Sequence, residues 1–173
     1  MSIYQNNAKI PQSEQSINHL LGQIANSFEK KYKMKTIATN VSMPEGVVKL
    51  LGLDFQIRGP LPKEEIRKLL IELNKEFIAL VNSDENVRSH LEHYPFEIRN
   101  IEITLFFIDS HGHELDDPYI GIAGISRGRI DYQTIITNNG VPSVKNEFVE
   151  SYEEALEALK ENFTLGQIEV TET

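Results

Sequence analysis

The chain contains no cysteine at all. That excludes disulfide staples, cysteine zinc sites and a thiol nucleophile, though it does not fix the compartment. Long apolar runs are missing too. A membrane-spanning helix needs about 20 consecutive apolar residues. The longest candidates, such as Ile103–Ile108, are of strand length, and that one stops at Asp109. Positive charge is scarce: 17 Lys and Arg against 26 Asp and Glu give a formal net charge of −9. Such a chain repels nucleic-acid backbones and anionic membrane surfaces unless a basic patch is segregated, which argues against a nucleic-acid partner. The N-terminus, MSIYQNNAKIPQSEQ, is polar and shows no secretory signal. The cytoplasm is therefore the expected compartment, with an exported mature domain as the alternative.

What is present suits one folded domain. With 173 residues, 40% of them hydrophobic and 25% charged, the chain can bury a real core but not two. We read 1–173 as a single domain, with 1–12 and 166–173 as its flexible ends. Ile17, Leu20, Leu21, Ile24, Phe28 and Tyr32 recur at helical spacing, predicting a helix over 13–33 with Ser13 as its cap. Gly22 inside it suggests close approach of a neighbour. From Lys35 the period changes to two. Ile37, Val41 and Met43, then Leu51, Leu53, Phe55 and Ile57, predict a hairpin over 36–58 with one buried face.

Gly59-Pro60-Leu61-Pro62 breaks that pattern. The stripe Ile66, Leu69, Leu70, Leu73, Phe77, Leu80 and Val81 predicts a second long helix over 62–82. A short helix follows, restarting at Ser83 and reaching about Glu92. Ile101, Ile103, Leu105 and Phe107 then share one strand face, and Phe106 and Ile108 make the other face apolar as well, which places this strand centrally. Next come Y-I-G-I-A-G-I, the turn S-R-G-R, and I-D-Y-Q-T-I-I with Ile130, Tyr132 and Thr134 on one face. A short polar strand is expected within 141–150. Ser151 with Glu154 forms a capping box for a last helix. The expected fold is α+β: a mainly antiparallel sheet of about five strands, two long helices on one face, a short helix and a C-terminal helix.

The chemical candidates are few. Asp109-Ser-His111-Gly-His113-Glu-Leu-Asp116-Asp117-Pro holds two histidines and four carboxylates. In a strand, H-x-H presents both rings to one ion, and Asp109 and Asp116 supply oxygens for a divalent metal. A turn is the competing reading. Asp followed three residues later by Gly is a polar hairpin signature, and Gly112 between the histidines breaks strand spacing. No H-E-x-x-H motif is present. Arg127 and Arg129, in a hairpin turn, are the candidate clamp for a carboxylate or phosphate. His90 and His93 read as a pair at a helix end. No cofactor is expected. Two functions follow: a non-enzymatic binding or protein-interaction module, or a hydrolase or other enzyme that uses the histidine and carboxylate loop at 109–117, with or without a metal.

Residues 93–112, H-Y-P-F-E-I-R-N-I-E-I-T-L-F-F-I-D-S-H-G, resemble a group of small uncharacterised bacterial α+β proteins. The likeness spans about 60 residues, from the second helix to the Arg127 hairpin. It implies a bacterial source and no particular function. As partners we expect another protein or a second copy of the chain. The segment 36–43, T-I-A-T-N-V-S-M, carries no charge, and as an edge strand it would be poorly defended. Coverage by the N-terminal arm or by 141–150, or dimer contacts through the helix bearing Leu21 and Phe28, are the competing outcomes.

Overall fold

The computed structural model describes residues 10–171, with side chains through Asn162. The expected flexible ends therefore lie partly outside the described residues. Helix α1 (Gln12–Tyr32) turns Ile17, Leu20, Leu21, Ile24 and Phe28 into the core, as their spacing demands. Ser13 does not cap it. Pro11 stands at the N-cap and the helix has no side-chain cap, so Ser13 falls inside the first turn. Lys30 and Lys31 sit in the last turn, where cations face the negative end of the dipole. Gly22 is exposed, and a Cβ built there meets nothing within 4 Å, so no neighbour's approach requires it. Leu21 and Phe28 are buried within the chain, which removes α1 as an apolar dimer face.

Strands β1 (Lys35–Ser42) and β2 (Leu50–Arg58) form the expected hairpin. Its two strands differ sharply. Leu51, Leu53, Phe55 and Ile57 of β2 are buried, whereas every residue of β1 except Thr36 is exposed. A register shift between Thr36 and Ala38 throws Ile37 out of phase, and the alternation read for β1 buries nothing. Helix α2 (Lys63–Ser83) then lays Ile66, Leu70, Leu73, Phe77 and Val81 on the sheet. Its Phe77 meets Phe28 edge to face with ring centroids 6.3 Å apart, and Phe28 lies 6.1 Å from Phe55. These three aromatic rings join α1, α2 and β2.

The short helix α3 (Glu85–Arg88) is shorter than expected and is capped by Asp84. The Asp84 side chain accepts from the Asn86 amide at 2.8 Å, while the Ser83 hydroxyl bonds back to Leu80. His90 and His93 therefore lie beyond the helix, in a segment sewn to the connection that precedes β2. Val48 N–H donates to His90 O, and Glu92 N–H donates to Val48 O, both at 2.8 Å. The Asn82 amide pins this segment again by bonding both backbone groups of Phe96.

The remaining strands are β3 (Ile101–Ile108), β4 (Ile120–Ser126), β5 (Arg129–Asn138) and β6 (Val141–Ser151). Spatial order follows chain order, giving a six-stranded sheet with β1 and β6 at its edges. Every neighbouring pair is antiparallel except β2 and β3, which run parallel because α2 and α3 carry the chain back between them. The sheet is thus mixed, with one strand more than expected, and β3 is central. The strand expected as a short one within 141–150 runs the full length Val141–Ser151, which its sequence, lacking an apolar period, does not show. What defines β6 is pairing with β5 along its length. A register shift after Thr134 makes Ile135 the next buried residue of β5 in place of Thr134. Tyr152 and Ala155 of α4 (Tyr152–Thr171) pack into the core, and Ser151 and Glu154 make the reciprocal capping box at 2.7 and 3.1 Å. Among the described residues, no helix is long and apolar enough to cross a membrane.

Candidate functional site

The strongest polar constellation is one that short-range patterns do not reveal. Arg67 of α2 meets Glu150 of β6 as a bidentate pair: Nε to Oε1 at 2.7 Å and Nη2 to Oε2 at 2.9 Å. The Tyr132 hydroxyl of β5 donates to the same Oε1 at 2.6 Å. Burial by itself pushes the Glu150 carboxyl up, but the bonds from Arg67 and Tyr132 outweigh it and hold the group below its ordinary value. The Tyr132 phenol is pushed far up, first by burial and then by its bond to Glu150, so it stays a donor. Lys63 closes the group from above, its Nζ 3.2 Å from the Phe148 ring centroid. Among the described residues, the side chains of all three core members bond only one another. The cluster ties α2 to the β5–β6 hairpin.

The loop between β3 and β4 answers the metal question in geometric terms. The Asp109 Oδ1 accepts the backbone amides of His111 at 2.8 Å and His113 at 2.9 Å. Those amides, that of His113 foremost, lower the Asp109 carboxyl below its ordinary value. Gly112 adopts φ +83°, the left-handed conformation that a turn of this kind favours. His111 and His113 are exposed, with ring centroids 6.2 Å apart, and His113 Nδ1 lies 3.6 Å from Asp109 Oδ2. Asp116 points elsewhere and accepts from the Thr137 hydroxyl of β5 at 3.1 Å. No group of three or more His, Cys, Asp or Glu side chains converges to hold a metal among the described residues. The sequence-predicted ligands are thus divided between a self-contained turn and a strand contact.

Arg127 and Arg129 flank one cleft but differ in their partners. Arg127 and Gly128 form the two-residue β4–β5 turn, both with positive φ (51° and 81°). Arg129 turns to β6 and faces Glu147 at 3.5 Å. Arg127 borders two clefts, one with Arg129, Asp131 and Glu147 and one with Lys49, His93 and Arg99. Sequence reasoning missed those last three, which come from two different connections.

Among the described residues, helices cover the sheet on one side only. The long helices share a single core with Leu53, Ile103, Ala123 and Ile130. The opposite face presents Asp54, Thr104, Gly124 and Asp131 in one row across four strands, and Gln56, Phe106, Ile122 and Gln133 in the next. Burial raises the Asp131 carboxyl, with the Glu147 charge adding to it and Arg129 opposing. Comparison with protein-family models, curated proteins and solved structures finds no match, so the site is argued from its own chemistry.

Proposed function

We propose that this chain is a non-enzymatic protein-interaction module that works by strand addition at β1, with a second copy of the chain as occupant. The observation that carries this reading is the asymmetry of the two sheet edges. At one edge, β6 contains Pro142, which lacks an N–H, and the charged Lys145 and Glu147. At the other, β1 has no charge and no proline from Thr36 to Ser42, and Ile37 and Val41 are exposed. Among the described residues only its start is blunted, where the Glu29 carboxylate accepts the Thr36 amide at 2.9 Å, and residues 1–9 of the N-terminal arm lie outside the described residues. The segment 141–150 does not cover β1, because it lies at the opposite edge. Antiparallel pairing of two β1 strands about a twofold axis brings no like charges together over 38–42 and satisfies open backbone groups on both copies.

The enzyme reading draws no comparable support, since His111 and His113 stand exposed in a turn closed by Asp109, while Asp116 and Asp117 are bonded to β5 and β6. Sedimentation velocity at micromolar concentration tests the proposal. We expect a mass near twice the 19.7 kDa of one chain. Val41→Lys should return it to monomer, and Val144→Lys on the opposite edge should not. A wild-type monomer, or a dimer indifferent to Val41→Lys, ends the idea. Stoichiometric zinc in the purified protein, lost on replacing His111 and His113 by alanine, would restore the enzyme alternative.

A further inference from the structure

The segregated basic patch that the net charge of −9 makes improbable on average exists at one end of the sheet. A cleft of about 530 Å³ opens where the β1–β2 connection, the segment after α3 and the β4–β5 turn meet. Its lining includes three cations, Lys49, Arg99 and Arg127, against one carboxylate, Glu92, a net of +2 with His93 neutral. Counter-charges inside the chain are loosely held. Lys49 stands 3.9 Å from Glu92 and Arg99 stands 3.3 Å from Glu97, all four side chains being at least 42% exposed. Among the described residues, no ion pair engages Arg127.

The cations are carried on a braced frame. Asn100, itself buried, donates from Nδ2 to Lys49 O at 3.0 Å and accepts the Glu97 amide on Oδ1 at 3.0 Å. One amide side chain therefore locks the backbone that bears Lys49 to the turn that bears Arg99. His93 sets the direction of Arg99. Its Nδ1 lies 2.9 Å from Pro95 O, which only accepts, so Nδ1 carries the proton and Nε2 is left to accept from Arg99 Nη2 at 3.3 Å. Arg127 is presented by a two-residue turn whose left-handed backbone suits glycine, asparagine or aspartate better than arginine.

From this arrangement we infer that the cleft binds a small phosphate monoester, its dianionic head held by Arg99, Arg127 and Lys49. Two guanidinium forks and an ammonium match a tetrahedral group with several acceptor oxygens. A charge of −2 neutralises the cleft, whereas a single carboxylate leaves one positive charge unmet. The volume exceeds what a bare ion fills and lies in the range of small-molecule sites. The cleft meets β1 only at Ser42, its last residue, and neither proposal rests on the other.

Backbone amide NMR of the full chain in low-salt buffer above about pH 7, where a phosphate monoester is a dianion, provides the test. The probes are phenyl phosphate, inorganic phosphate and acetate. We expect saturable shifts confined to the residues around Lys49, 92–100 and Arg127. Phenyl phosphate should bind more tightly than inorganic phosphate, and acetate at least about tenfold more weakly than either. Arg99→Ala and Arg127→Ala should each weaken phenyl phosphate about tenfold or more. Arg129→Ala, outside the cleft, should change it less than twofold, and each variant's own spectrum reports its fold. Non-saturating shifts spread over surface lysines, acetate binding as well as phosphate, equal affinity for the two phosphates, or equal loss in Arg129→Ala would each overturn the inference.

Discussion

Replacing Arg67 by methionine is the sharpest test of what fastens α2 to the β5–β6 hairpin. Both side chains of the Arg67–Glu150 pair are only 8% exposed, and the pair makes two direct bonds of 2.7 and 2.9 Å. Removing the guanidinium leaves a buried carboxylate with the Tyr132 hydroxyl and the more distant charge of Lys63. An uncompensated charge of this kind costs about 3–5 kcal/mol. Adding Glu150→Gln removes the charge and keeps an oxygen for Tyr132. The double variant should then carry only the cost of an unsatisfied amide, about 1–3 kcal/mol. Urea unfolding at neutral pH would show the double variant as the more stable of the two. The pH dependence should also change sign. In the wild type the folded-state Glu150 carboxyl is lowered, so its contribution is full above the ordinary glutamate range and is lost as pH falls through the lowered value. In Arg67→Met, burial dominates and raises that carboxyl, so the variant should recover stability as pH falls through the raised value. A single variant that loses under about 1 kcal/mol, or a double variant no better than the single, would refute the argument.

Two glycines should respond in opposite directions. A Cβ at Gly121 would lie 2.4 Å from the Leu115 carbonyl oxygen, so Gly121→Ala should destabilise by about 1–3 kcal/mol, whereas exposed Gly22 inside α1 has open space and Gly22→Ala should stabilise by about 0.5–1 kcal/mol in the same urea assay. The lowered Asp109 carboxyl should titrate below the ordinary aspartate range by carbon-detected NMR, and the loop should lose its order only as pH falls through that value; titration at or above the ordinary range would contradict the turn. In Asp109→Ala, the His111 and His113 amides should lose protection from hydrogen exchange.

The sequence revealed elements wherever burial was one-sided and local. Both long helices, β2, β3 and the Ser151 box were legible because each rests on spacing within one segment. β1 was legible as a strand but not in its burial, because a bulge at Ile37 and an edge position are properties of pairing. β6 has no apolar period, so only its pairing with β5 defines it. The sites divide in the same way. The Asp109 turn is local chemistry and could be read from Asp, Gly and their separation. The Arg67–Glu150 pair joins residues 83 apart, and the Lys49, Arg99 and Arg127 cleft joins three connections. No spacing rule reaches that far.

The single parallel ladder, β2 on β3, joins two halves of the chain whose strands otherwise pair locally. Before it, α1, β1, β2 and α2 follow one another with short connections; after it, β3 to β6 form a meander of local hairpins. The ladder between them begins by matching Leu51 with Ile101. Closing a loop of about 50 residues carries an entropic cost that scales as (3/2)RT ln n, about 3.5 kcal/mol before any constant. That closure, and not hairpin formation, should limit the folding rate. A chain cut in the 84–97 connection should leave two pieces that find each other along this ladder, with association replacing loop closure as the slow, concentration-dependent step.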